Sequence, residues 1–143
     1  MMIDDKNKPA NYMIMKYYIG KVLNTDFETA VSKTKEALQK EGFGVLSEID
    51  IHEKLKEKLD VDFRKYKILG ACNPPLAHEA LQIEDKVGTM LPCNVIVQQL
   101  DEKRVEIAAV DPLASMKAIE NEELTKIAKK VKEKLENVIS ILT

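Results

Sequence analysis

A chain of 143 residues is the size of one domain and can bury a core without help from a disulfide or a metal ion. Its 22 Lys and Arg against 24 Asp and Glu leave a net charge of -2, which opposes phosphate binding and so excludes nucleic acid as an expected partner. The composition, 45% hydrophobic and 32% charged, is that of an ordinary globular protein, and its longest uncharged apolar runs fall far short of the roughly 20 residues that cross a bilayer.

Residues 1–11 are polar, carry Pro9 and lack periodicity, so a flexible tail is expected ahead of a single α+β domain over residues 12–143. The opening MMIDDKNKPANY does not have the charged-then-apolar layout of a signal peptide. A cytoplasmic location is therefore the expectation, with both cysteines kept reduced there. From Tyr12 to Leu23, Met15, Tyr17 and Ile19 alternate with Lys16 and Tyr18, which predicts one half-buried strand ended by Asn24.

Thr25-Asp26-Phe27-Glu28 has the spacing of a capping box with Thr25 as N-cap. Phe27, Ala30, Val31, Thr34, Ala37 and Leu38 then form a helical stripe, which Gly42 stops. Phe43 to Ile51 alternates with Val45, Ile49 and Ile51 on one side and Glu48 and Asp50 on the other, predicting a strand wet on one face. HEKLKEKL, from His52 to Leu59, reads as a short charged helix with Leu55 and Leu59 to bury and His52 at its surface. Tyr66 to Cys72 is the next strand.

Between Ile68 and Asn94 the chain places both cysteines, three of its five prolines and two of its five glycines. The segment reads as strand, short helix, strand, with Cys72-Asn73 closing the first strand and Cys93-Asn94 opening the second. Asn73 suits an N-cap and Pro74 the first helical position, while Pro75 removes a further N–H that an anion would need, so phosphate binding there is not expected. Cys93 to Leu100 and Arg104 to Val110 predict an antiparallel hairpin. If its turn centres on Glu102, Val95, Val97 and Gln99 face Ala109, Ile107 and Val105, and Cys93 lies across from Asp111. Pro112 stops that strand. From Ile119 onward Leu124, Ile127, Ala128, Val131, Leu135, Val138, Ile139 and Leu142 keep the 3.6-residue spacing of one long helix.

This order predicts an α+β two-layer sandwich with helices on one face of a mainly antiparallel sheet. The other face would carry Lys16, Tyr18, Leu46, Glu48, Ile96, Gln98 and Glu106, a mixture that suits either a dimer surface or scattered exposed apolar residues.

If the strands ending at Cys72 and beginning at Cys93 are antiparallel neighbours, both thiols emerge at the same sheet end, with Asp111 nearby and Asn73 and Asn94 at the rim. Such a pocket could hold a small ligand, or a metal through Cys72 and Cys93 with His78 as a third ligand. The spacing matches no standard zinc pattern, and His78 equally suits an ordinary exposed helix position. Each cysteine also suits a plain core side chain. Cys72 just precedes a helix N-terminus, where a thiol can be activated, but no Lys or Arg follows closely to reinforce the effect. No nucleophile–base pair and no glycine-rich nucleotide loop is present in the sequence. Three readings follow: a ligand- or metal-binding protein, a thiol-based redox or nucleophilic enzyme, and an interaction protein whose Cys-Asn motifs are structural.

The segments ILGACNPPLA (68–77), GTMLPCNVIV (88–97) and AVDP (109–112) closely resemble those of the domain of unknown function 302 family. The resemblance runs from the first strand through the final helix. It implies a compact α+β sandwich similar in layout to the TATA-box-binding protein, and a homodimer, without implying DNA binding. Cys72, Asn73, Pro74, Pro92, Cys93, Asn94, Asp111 and Pro112 occupy the family's motif positions. The family has no settled activity, so the resemblance carries over no catalytic residue, reaction or cofactor.

Overall fold

The computed structural model describes the backbone of residues 12–14 and all of residues 17–143. Among these, six strands form one antiparallel sheet: β1 (Tyr12–Ile14), β2 (Tyr18–Asn24), β3 (Gly44–Asp50), β4 (Tyr66–Cys72), β5 (Cys93–Gln99) and β6 (Arg104–Val110), in the order β1-β2-β6-β5-β4-β3. The helices are α1 (Phe27–Lys40), α2 (Ile51–Leu59), α3 (Pro74–Ile83), the single turn α4 (Pro112–Ser115) and α5 (Glu122–Ile141), with a 3-10 turn at Asp85–Met90. The tail expected over residues 1–11, and Met15 and Lys16, lie outside the described residues.

Helices α1 and α5 pack across one sheet face because each carries a continuous apolar stripe. On α1 the stripe is Phe27, Ala30, Val31, Thr34, Ala37 and Leu38, and Thr34 is admitted because its Oγ1 donates to the Ala30 carbonyl at 2.7 Å. On α5 it is Leu124, Ile127, Ala128, Val131, Leu135, Val138 and Ile139. The sheet answers with Ile19 and Leu23, Val105, Ile107 and Ala109, Val95 and Val97, and Leu69, all buried. One polar side chain joins this layer: Lys21 is buried, and its Nζ donates to the carbonyls of Ser140 and Leu142 at 3.0 and 2.6 Å, at the negative end of the α5 dipole.

The hairpin register is as expected, with Val95 opposite Ala109, Val97 opposite Ile107, Gln98 opposite Glu106 and Gln99 opposite Val105. Four local expectations change. Tyr12 to Leu23 is not one strand but two, β1 and β2, which pair antiparallel as a hairpin. The cap of α1 is Asp26, whose Oδ1 accepts from the Thr29 amide at 2.8 Å while Oδ2 accepts from the Thr29 hydroxyl at 2.7 Å, so the Thr25–Glu28 box does not form. Helix α5 begins at Glu122 rather than at Ile119, because Asn121 caps the Glu123 and Leu124 amides at 2.9 and 3.1 Å. On α2, Leu59 is exposed, whereas His52 is half-buried and its Nδ1 accepts from the Tyr66 amide at 2.9 Å, pinning α2 to β4.

The largest correction is in β3. Its pairing with β4 shifts between Val45 and Ser47, a bulge that changes the phase of the alternation. Ile49 lies opposite Ile68 on the uncovered face, while Glu48 lies opposite Leu69 on the helix side, where Lys35 of α1 reaches it at 2.7 Å. Glu48 therefore does not belong to the uncovered face, and Val45 and Ile49 do not share a side.

Candidate functional site

Strands β4 and β5 are antiparallel neighbours, with Ala71 opposite Cys93 and Gly70 opposite Asn94. Both cysteines therefore sit at one end of the sheet, offset by one residue. Cys93 points into the helix-covered layer at 6% exposure, Cys72 is half-buried, and both are free thiols. Burial first, and the neighbouring Cys72 second, push the Cys93 thiol up to about 11.

Cys72, Asn73, Pro92 and Cys93 line one cavity, closed by Phe43, Leu76, Met116 and Val131. Its volume is about 30 Å³, room for a water molecule or two and not for an organic ligand. Pro74, Asn94 and Asp111 are not among its walls.

The polar motif side chains are spent on holding elements together. Asn73 Oδ1 accepts from the Leu76 amide, capping α3, while its Nδ2 donates to the Glu41 carbonyl at the end of α1, each at 3.4 Å. Asp111 is not the pocket wall that its register suggested. Pro112 begins α4, so the Asp111 carboxylate turns to cap the Leu113 and Ala114 amides at 2.9 and 3.4 Å and meets Lys132 Nζ of α5 at 3.1 Å. His78 is exposed on α3 and does not line the cavity. Among the described residues no group of three or more His, Cys, Asp or Glu could hold a metal ion.

Asn94, by the alternation of β5, lies on the uncovered face, and there it borders a second cavity of about 350 Å³. The walls are Tyr17, Tyr18 and Tyr66, with Gln98 and Glu106, over Ile96, Ala108 and Val110. Tyr17 and Tyr18 meet edge to face with ring centroids 5.0 Å apart. A hydrogen-bond relay runs along the groove: Arg64 Nε donates to Gln98 Oε1 at 2.8 Å, and Gln98 Nε2 donates to Glu106 Oε1 at 2.7 Å. Burial raises the phenols of Tyr18 and Tyr66 and Glu106 adds to both shifts, while the Arg64 guanidinium works against the shift at Tyr66. The sequence reading placed Tyr18, Ile96, Gln98 and Glu106 on this face but not the groove. Tyr66 comes from a distant strand and enters because it lies opposite Gln98 in the β4–β5 ladder.

From the groove floor at Ala108 and Ile96 a cross-strand apolar row continues over the uncovered face, Ile96 opposite Ile68 and Ile68 opposite Ile49. No helix among the described residues is long and apolar enough to cross a membrane.

Fold and motif geometry together define a small α+β protein with helices on one side of an antiparallel sheet and paired Cys-Asn junctions at one sheet end. The profile of the domain of unknown function DUF302 matches residues 19–142, and the chain belongs to that family. Its structure is similar to the crystal structure of an uncharacterized conserved DUF302 protein from Bacillus stearothermophilus, at a TM-score of 0.79 and 29% sequence identity, over 85% of this chain and 94% of that one. No curated protein matches.

Proposed function

We propose that this protein binds a small molecule, and that the site is the tyrosine-lined groove on the uncovered sheet face rather than the cysteine cavity. The lining of the groove, aromatic rings and polar side chains converging over an apolar floor, carries this reading together with its size relative to the cysteine cavity. A groove of about 350 Å³ with several convergent polar groups has the dimensions of a ligand site, whereas about 30 Å³ behind Cys72 and Cys93 does not. The Cys-Asn motifs then act mainly as structural junctions, with Asn94 the motif residue that reaches the site.

A thiol nucleophile at Cys93 is disfavoured, because a buried thiol held at about 11 carries almost no thiolate at neutral pH. A second reading, self-association into a homodimer through the same face, is supported by the apolar row in which exposed Ile49 continues into half-buried Ile68 and Ile96, since apolar side chains left open to solvent on a sheet face suit an interface.

The ligand reading is tested by screening a fragment library against isotopically labelled protein by amide chemical shift. Shifts concentrated at Asn94, Ile96, Gln98, Glu106 and Ala108 are expected, and they should vanish in Ile96→Trp, which fills the groove. Shifts concentrated at Cys72, Cys93 and Met116 would instead return the site to the cysteine cavity.

A further inference from the structure

We infer that the groove accepts an organic cation, an alkylammonium whose charge sits among the rings of Tyr17, Tyr18 and Tyr66 and against the Glu106 carboxylate. This rests on the preceding reading that a small molecule occupies the groove, and it names the chemistry of that molecule.

Three observations lead to it. The protein has four tyrosines, and all three whose side chains are described line this one groove, where ring faces attract a cation. Glu106 is half-buried there and forms no ion pair with a lysine or arginine among the described residues. Arg64 lies near enough to act on the Tyr66 phenol, but its hydrogen-bonded link to Glu106 runs through the amide of Gln98, which engages Glu106 Oε1, so the second carboxylate oxygen is available to an incoming N–H or a methylated ammonium.

The rest of the groove agrees with an amphiphilic cation. Ile96, Ala108 and Val110 give an apolar bed for alkyl groups beside the charge. An anion would meet Glu106 as a like charge, and a neutral molecule would cover the carboxylate without compensating it, which is costly in a partly desolvated site.

Choline chloride, and its uncharged carbon isostere 3,3-dimethylbutan-1-ol, are the probes, titrated at constant ionic strength into labelled protein. Choline is expected to shift the Ile96, Gln98 and Ala108 amides saturably, with the isostere about tenfold weaker. Glu106→Gln, which keeps an acceptor for Gln98, should weaken choline binding about fivefold or more. Tyr17→Ala should weaken it too, and Tyr17 is 67% exposed, so that variant does not threaten the core. If the isostere binds as tightly as choline, or if both variants bind choline like the parent, the cation assignment is overturned while a groove ligand survives. If neither probe nor any screened fragment moves the groove amides, the assignment and the ligand reading fall together.

Discussion

Gly70 shows how tightly single positions are constrained around the Cys-Asn junctions. A Cβ there would stand 2.8 Å from Pro92 Cγ and would also collide with the Ser47 hydroxyl. The hydroxyl can rotate away, but the proline ring cannot, so Gly70→Ala should cost about 1–3 kcal/mol as overpacking, read as a lowered urea midpoint at unchanged slope. The two cysteines should separate just as sharply. With its thiol at about 11, Cys93 has a thiolate fraction of about 10⁻⁴ at pH 7 and little access to reagent. Iodoacetamide should therefore modify Cys72 at least tenfold faster than Cys93 in the folded protein, with mass spectrometry showing the difference abolished in denaturant. Rapid labelling of Cys93 at neutral pH would restore the thiol enzyme as a reading.

At the level of elements, the contact between β2 and the end of α5 depends on one buried ammonium. Lys21 Nζ joins the Ser140 and Leu142 carbonyls, so Lys21→Met leaves those acceptors without this donor while keeping most of the apolar stem. A loss of about 1–3 kcal/mol is expected by chemical denaturation, with amide exchange accelerating first in the last turn of α5. Unchanged exchange there would mean that the helix end is held by its apolar stripe alone. The Asn73 bridge is comparable in kind, since it ties the start of α3 to the end of α1 beside Gly42, whose φ of 83° is the left-handed stop that the sequence predicted.

Across the described residues, helices cover one side of the sheet, and the proposed ligand and dimer readings both concern the second face. The row Ile49, Ile68, Ile96 and Ala108 runs over four adjacent strands there. If two copies pair through it, light scattering after size exclusion should give twice the chain mass, and Ile68→Asp should return the monomer without lowering the thermal midpoint of the isolated subunit much. A monomeric parent at high concentration would remove the homodimer reading and leave the groove open to solvent and ligand.

The sequence by itself determined the positions of α1, α3 and α5, the buried stripes of α1 and α5, and the register of the β5–β6 hairpin, because periodicity and tight turns are local properties of the chain. It misjudged the cap of α1 and the buried face of α2, and it gave no sign of α4. Even there, one bulge at Val45 to Ser47 was enough to put Glu48 and Ile49 on the wrong faces, since alternation carries no sign of an inserted residue. Only the tertiary structure showed which side chains meet around each cavity. The motif drew attention to Cys72, Cys93 and Asp111, but close packing left almost no space behind the thiols, and Pro112 turned Asp111 away to cap a helix. Tyr17, Tyr18, Tyr66 and Glu106 meet because strands far apart in sequence lie side by side, and no pattern read along the chain measures the volume left between them.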